Sequence, residues 1–466
     1  MEFEQWSRRN FIKSTGLAGG LMVTIPSSSF SEWNQKKYKS VTIESVDSNF
    51  EREPLIRPFG FKGGYMTEIW QAAAFLKSAS GISKVGLCSQ SVLWSDASVF
   101  GSYSESGGNA LMYAMTEYAL KLIKGRSFQS PVQLLDEILP ELYAYGQKIT
   151  GNPDLRKTFA LNALVGIDNA TWMLFAVDNG IKTFDEMIPE EFRPSLSYHH
   201  KTVASIPLMA YSIPVSEIKQ AVEDGYFFMK IKIGQPGTQQ EMLEKDMARL
   251  SEIHKAIGHY RTEHSENGKL PYYFDANGRY GEKETLLKLL DHAKKIGAFD
   301  QIAIIEEPFD EYADIDVSDI PIRLAADESA HTDEDALIRI QMGYKAIALK
   351  AIAKTLSMTM KIAKVAKQNN VPCFCADLTV NPILIDWNKN IAARLDPFPG
   401  LGTGLLETNG HQNYKNWAEM ESYHPFATAE WRKTKKGVFE LDDDFYKNSG
   451  GVLTDSAHYS NMFENS

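Results

Sequence analysis

The residues able to do chemistry are three lysines and three carboxylates, each at the end of a short apolar run. They are Lys230 and Lys232 in MKIKIG, Asp275 in YYFDANG, Glu306 in IAIIEEPF, Asp327 in IRLAADES and Lys350 in AIALKAI. Three carboxylates held side by side cannot all stay ionised without a cation, and all-oxygen ligation suits Mg²⁺, with Mn²⁺ as a substitute. Side chains two apart on a strand share a face, so Lys230 and Lys232 point the same way. An ammonium beside a lysine lowers that lysine's pKa, which is what a general base near neutral pH requires. A divalent ion and a neutral lysine together suit removal of a proton next to a carboxylate, since the ion stabilises the ene-diolate that forms.

The elements that would position these groups follow from the pattern around them. Apolar runs rich in Ile, Val and Phe read as strands buried on both faces. Helix-forming segments, Gln239–Ile257, Glu282–Ile296, Asp333–Gln341 and Thr355–Gln368, lie between most of them. Strand alternating with helix predicts an α/β fold with a parallel sheet, closed as a (β/α)8-type barrel over residues 195–425. The charges then gather at the carboxyl ends of the strands, where barrel active sites lie. Asp275, Glu306 and Asp327 come from successive strands, and Lys232 and Lys350 face each other across them. The barrel is expected to open with Val203–Ser212 and to carry the lysine pair on Phe227–Gly234. Strand seven is expected at Pro372–Leu378, ending near Asp377, and strand eight at Gly404–Thr408, with Glu407 and Asn409 at its end.

Residues 39–194 read as an α+β domain. Val41–Ser48 and Met66–Ser78 suit strands, Gly81–Cys88 continues a hairpin-like pattern, and Asn109–Lys124, Pro131–Thr150 and Asp154–Asn179 suit helices. Gln90–Gly108 is rich in Ser, Gly and aromatic residues and is expected as a loop over the site, presenting Trp94, Asp96, Phe100 and Tyr103. The polar tail, 426–466, is expected to pack on this first domain.

The five-part pattern resembles the enolase superfamily, and within it the muconate-lactonising-enzyme-like subgroup of the mandelate racemase/muconate lactonizing enzyme family, dipeptide epimerases included. The matching residues are Lys230-Ile-Lys232, Asp275 in DAN, Glu306 in EEP, Asp327 in DES and Lys350. The resemblance implies a modified TIM barrel capped by an α+β domain. It assigns Asp275, Glu306 and Asp327 to Mg²⁺, Lys232 and Lys350 to proton transfer, and Lys230 to their support. Asn277, Glu328, Asp377, Glu407, Asn409 and Trp94 are the candidate substrate contacts. The implied activity is a racemase or epimerase acting on a small carboxylate, such as a dipeptide or an N-acyl amino acid. A lyase or cycloisomerase of the same superfamily is the second reading, and a metal-free binding protein on this scaffold is the third. Two departures stand out. The family's glycine pair after the sixth-strand lysine is replaced by AIAKTLS, and Glu407 with Asn409 stands where dipeptide epimerases carry two aspartates. Lys354 reads as a helix-start lysine, and Glu307 and Glu328 as supporting carboxylates.

Composition bounds the rest. The 466-residue chain is long enough for two domains, with 43% hydrophobic and 23% charged residues. Its formal net charge of −11 argues against nucleic acid and against anionic membrane surfaces. Ser7-Arg8-Arg9-Asn10-Phe11 followed by an apolar run to Ile25 reads as a twin-arginine export signal within residues 1–38, too short to span a bilayer as a helix. The expectation is therefore a periplasmic or exported protein with no membrane span once the signal is removed, working as a homo-oligomer. The three cysteines, Cys88, Cys373 and Cys375, read as small buried hydrophobes.

Overall fold

The first strand is more than twice the length the sequence suggests. In the computed structural model, which describes residues 38–61 and 64–464, β1 runs from Val41 to Phe61. The twin-arginine stretch lies outside the described residues. β1 pairs antiparallel with β2 (Gly64–Ser78), which pairs with β3 (Ser83–Gln90); β4 (Ser127–Phe128) joins the other edge. The expected break after Ser48 does not occur because β1 stays in register with β2, with shifts near Ile43 and Pro54.

Helices α1 (Ala97–Ile123), α2 (Pro131–Thr150) and α3 (Lys157–Asp178) follow. α3 lies against the sheet closely enough that a Cβ on Gly86 would sit 1.9 Å from the carbonyl oxygen of Gly166. Ala72, Cys88 and Val165 form a small core at that contact. α3 is apolar and long enough to cross a membrane, yet 94% of its most apolar window is buried inside the protein. The reading of Gln90–Gly108 as a loop is corrected. A helical turn spans Val92–Ser95, and α1 begins at Ala97, capped by the Asp96 side chain, which accepts from Ser98 N and Val99 N. The serines and glycines mark a kink at Ser104, where φ is 65°, rather than a loop.

The second sheet is a barrel. Its strands are β5 (Thr202–Ile206), β6 (Leu208–Met209), β7 (Lys230–Lys232), β8 (Tyr272–Asp275), β9 (Ile302–Glu306), β10 (Leu324–Ala326), β11 (Ala346–Leu349), β12 (Cys373–Cys375) and β13 (Gly404–Glu407). β5 and β6 are one strand interrupted at Pro207, which has no N–H to give the ladder. This segment pairs in parallel with β13 on one side and with β7 on the other, so the sheet closes on itself. Helices α4 (Val215–Glu223), α5 (Gln239–Ile257), α6 (Lys283–Ile296), α7 (Asp333–Gln341), α8 (Leu356–Gln368) and α9 (Pro382–Ala392) fill the crossovers. The start signals are explicit in two cases: Thr238 with Glu241 and Thr332 with Asp335 form capping boxes. The connection from β9 to β10 has no helix. The tail contributes a hairpin, β14 (Thr434–Lys435) and β15 (Val438–Glu440), and β15 pairs antiparallel with β5. Farther on, His458 lies 2.8 Å from Glu51 and Lys84 is 2.6 Å from Asp455, so the last residues reach the first sheet.

Candidate active site

The predicted catalytic, metal and substrate-contact residues of the barrel come together at the carboxyl ends of its strands. One cavity is lined by Lys230, Lys232, Asp275, Asn277, Asp327, Glu328, Lys350, Asp377, Glu407 and Asn409, with Phe59, Met66 and Trp94 closing it from the first domain. Glu306 lies just beneath, bonded to Lys230. The free space is only about 40 Å³, far below the size of a typical ligand site.

The positive and negative groups are interleaved. Lys230 Nζ lies 2.9 Å from Asp275 Oδ2, 2.8 Å from Glu306 Oε1 and 3.1 Å from Glu407 Oε2. Lys232 Nζ donates to Asp275 Oδ2 and Asn277 Oδ1, both at 2.6 Å. Lys350 Nζ is 2.6 Å from Asp327 Oδ2 and 4.4 Å from the centre of the Trp94 ring. Lys232 and Lys350 stand on the second and sixth strands of the eight-strand circle, so they approach the cavity from opposite sides.

Burial and charge decide the protonation states. Burial disfavours the Lys230 ammonium, but Asp275, Glu306 and Glu407 outweigh it and hold its pKa well above the ordinary lysine value. Lys350 is likewise raised, burial being overcome by Asp327. Burial would lift Asp275, yet Lys230 and Lys232 bring it down to about 2. Glu306 goes the other way, raised by burial and by the negative charge of Asp275. Burial and the Glu328 charge push Glu307 up to about 7. Lys230 thus stays charged, as expected of the ammonium beside the base Lys232, because three carboxylates surround it.

Seven buried carboxyl groups (Asp275, Glu306, Glu307, Asp327, Glu328, Asp377, Glu407) face four buried ammonium groups (Lys230, Lys232, Lys350, Lys354). Three of the seven, Glu306, Glu307 and Asp377, are pushed towards the neutral form, and a further cation would let them ionise. The carboxylates that converge among the described residues are Glu306, Asp327 and Glu328, with oxygens within 4.8 Å of one another. Glu328 Oε2 and Glu307 Oε1 are buried with no hydrogen-bond partner, and orphaned hard oxygens are suitable ligands for Mg²⁺. The donor set therefore fits a divalent ion. Asp275 stands outside the converging set because its Oδ2 is turned to two ammonium groups. Glu328 lies inside it, where the sequence suggested a support.

The remaining predicted contacts are well ordered by hydrogen bonds. Asn277 Nδ2 donates to Glu328 Oε1 at 3.0 Å. Asp377 accepts from Leu378 N at 2.7 Å and Asn409 N at 2.7 Å, and burial with the Glu407 charge pushes it up to about 7. Glu407 Oε1 accepts from Asn409 Nδ2 at 3.1 Å. Of the four residues expected over the site, only Trp94 lines the cavity. Asp96 caps α1, and the Tyr103 hydroxyl donates to the Thr150 carbonyl.

Several groups escaped the sequence reading. Lys354 stands at a helix start as expected, one residue before the α8 cap Thr355, but it is fully buried; its Nζ donates to the carbonyls of Asp327 (2.7 Å) and Ala330 (3.0 Å) and pins the end of β10. The Tyr273 hydroxyl donates to Glu306, and Lys230 Nζ sits 5.5 Å from the Tyr273 ring centre. Period-two alternation places Tyr273 inside the barrel, so that signal was present. Asn277, Glu307, Thr355 and Thr379 all take positive φ (46°, 40°, 70° and 57°) just beyond barrel strands. Such outliers gather at functional sites, where surrounding structure enforces them.

A family model described as Enolase C-terminal domain-like matches residues 215–398. No curated protein matches the chain. Among solved structures, a mandelate racemase/muconate lactonizing protein from Herpetosiphon aurantiacus superposes with a TM-score of 0.60 at 16% identity, over 86% of this chain and 96% of that one. A dipeptide epimerase from Enterococcus faecalis V583, complexed with Mg and L-Leu-L-Tyr, gives 0.57 at 16% identity, over 80% and 92%. An N-succinyl Arg/Lys racemase from Bacillus cereus gives 0.58 at 14% identity, over 80% and 89%. At these identities the likeness establishes the fold alone, a barrel with a capping domain.

Proposed function

We propose that this chain, whose barrel is of the enolase C-terminal-domain-like kind, is a divalent-cation-dependent racemase or epimerase. It would remove the α-proton of a small carboxylate, of the dipeptide or N-acyl amino acid class. The observation that carries this reading is the placement of Lys232 and Lys350, which reach one cavity from diametrically opposed strands. Two groups on opposite faces of an α-carbon suit removal of a proton from one face and its return to the other.

The roles follow from the contacts. Glu306, Asp327 and Glu328, with Asp275 beside them, would hold the ion. Bound there, the ion would neutralise the substrate carboxylate as the α-carbon loses its proton. Lys350 is held protonated by Asp327, so it is set to deliver a proton in this arrangement. Lys232 shares Asp275 Oδ2 with Lys230, and Asn277 fixes its direction. Lys230 supplies fixed positive charge on the same side. Asn409 and Glu407 lie at the far wall, where a substrate's amide or amine would sit.

The test is α-deuteration in D₂O across a panel of dipeptides and N-acyl amino acids, with Mg²⁺ and with chelator. Incorporation that needs the ion and yields both configurations supports the reading. No incorporation in any member, or incorporation indifferent to Lys350→Ala, overturns it.

A further inference from the structure

One buried guanidinium joins the first domain to the barrel, and the chemistry above gives it no part. Arg156 precedes α3, with a side chain 7% exposed; its Nε lies 2.7 Å from Glu311 Oε1. Its Nη2 donates to Glu311 Oε2 at 2.9 Å and to the Glu328 carbonyl at 3.2 Å, and its Nη1 donates to the Trp94 carbonyl at 3.1 Å. Its backbone N–H donates to Asp96 Oδ2 at 3.0 Å, and Glu311 is also 2.8 Å from His331 Nε2. A single side chain thus grips the turn carrying Trp94, the loop after β9 and the end of β10. A planar fork of donors can reach all three, whereas a lysine ammonium cannot.

Trp94 is the part of this arrangement that faces the site. Its ring covers Lys350 Nζ at 4.4 Å, and its own Nε1 is buried with no partner. The helical turn Val92–Ser95 is far too short to hold itself, so the placement of Trp94 must come from tertiary bonds. We propose that Arg156 is a positioning residue that locks Trp94 as a screen over Lys350, excluding water from that lysine until substrate enters. The screen is a property of the folded chain; its catalytic meaning rests on the function proposed above.

Reductive methylation read by peptide mass spectrometry tests the screen without any substrate, so its outcome is independent of whether the proposed reaction is found. Lys230 and Lys354 are the internal controls, since barrel groups hold both. Arg156→Gln alone would take the guanidinium from the buried Glu311 carboxylate and leave it His331, so the double variant Arg156→Gln/Glu311→Gln is compared as well. In both, Lys350 is expected to methylate about tenfold faster than in the parent, with Lys230 and Lys354 within about twofold, the size set by one lost hydrogen bond and one lost cation–π contact. Trp94→Ala should give the same acceleration, and adding Arg156→Gln to it should add nothing further. An unchanged Lys350 rate in the double variant, or equal acceleration of all three lysines, overturns the proposal.

Discussion

Lys230 is pinned between acids from three strands, and that position sorts the effects of single substitutions. Glu306→Gln removes one converging ligand and one of the Lys230 partners. It should abolish both activity and its dependence on Mg²⁺ while the far-UV circular dichroism stays the same; full activity in the variant would remove Glu306 from the ion site. Lys232→Ala and Lys350→Ala should act on opposite enantiomers. Each is expected to slow α-proton exchange by about 10²–10⁴-fold in the antipode it serves and to remove net racemisation, with exchange in the other antipode partly kept. Equal loss in both antipodes for both variants would make the lysines electrostatic supports. These residues were legible in the sequence because each closes an apolar run, and a charge there has few places to go but the mouth of a barrel. The parts played by Arg156 and Lys354 were not. The acts of Arg156 and Lys354 are bonds to carbonyls far away in sequence, and nothing local marks them.

α8 shows how an element can be aimed by its neighbours. The segment AIAKTLS stands where the resemblance led one to expect glycines, and the chain still takes the glycine-like path: Thr355 has φ 70° and caps α8 through Met358 N. A β-branched residue there costs about 1–3 kcal/mol. The opposing hold comes from α3, where buried Asp168 accepts from Ser357 N at 3.0 Å and Ser357 Oγ at 2.5 Å. Burial pushes the Asp168 carboxyl up to about 6 despite those bonds. Its folded pKa is above its unfolded value, so the folded state binds the extra proton. The stability this provides is full below about pH 4 and is lost as pH rises through about 6, about 3 kcal/mol in all. Asp168→Asn should therefore flatten the pH dependence of denaturant midpoints between about pH 4 and 7; an unchanged slope would mean that Asp168 is not the titrating group. Sequence patterning found the barrel strands and most helices because burial imposes their periods. It missed the helical turn at Val92–Ser95 because the serines at both ends of it mask a turn fixed by Asp96 and Arg156.

For the molecule as a whole, ion binding should register as stability. A ligand that binds only the native state at a hundredfold above its Kd adds about 2.7 kcal/mol. Mg²⁺ or Mn²⁺ should therefore raise the thermal midpoint of the parent, and Glu306→Gln should lose that rise; an ion-insensitive parent would count against the proposed site. The export reading of residues 1–38 stands as a proposal with its own test. Arg8→Lys with Arg9→Lys should retain the protein in the cytoplasm, and an unaltered periplasmic yield would refute it.

The barrel's first strand has a late partner on each count. β5, at Thr202–Ile206, is bordered by β13 at Gly404–Glu407 and by the tail hairpin at Val438–Glu440. A ribosome delivers residues in order, so that edge stays bare until about 200 further residues, β13 among them, have been made, while β1, β2 and β3 can zip together early. Ring closure then waits for β13. The half-made protein carries an open parallel edge, which is a template for aggregation, and chains stopped short of Glu440 should be captured by chaperones rather than released.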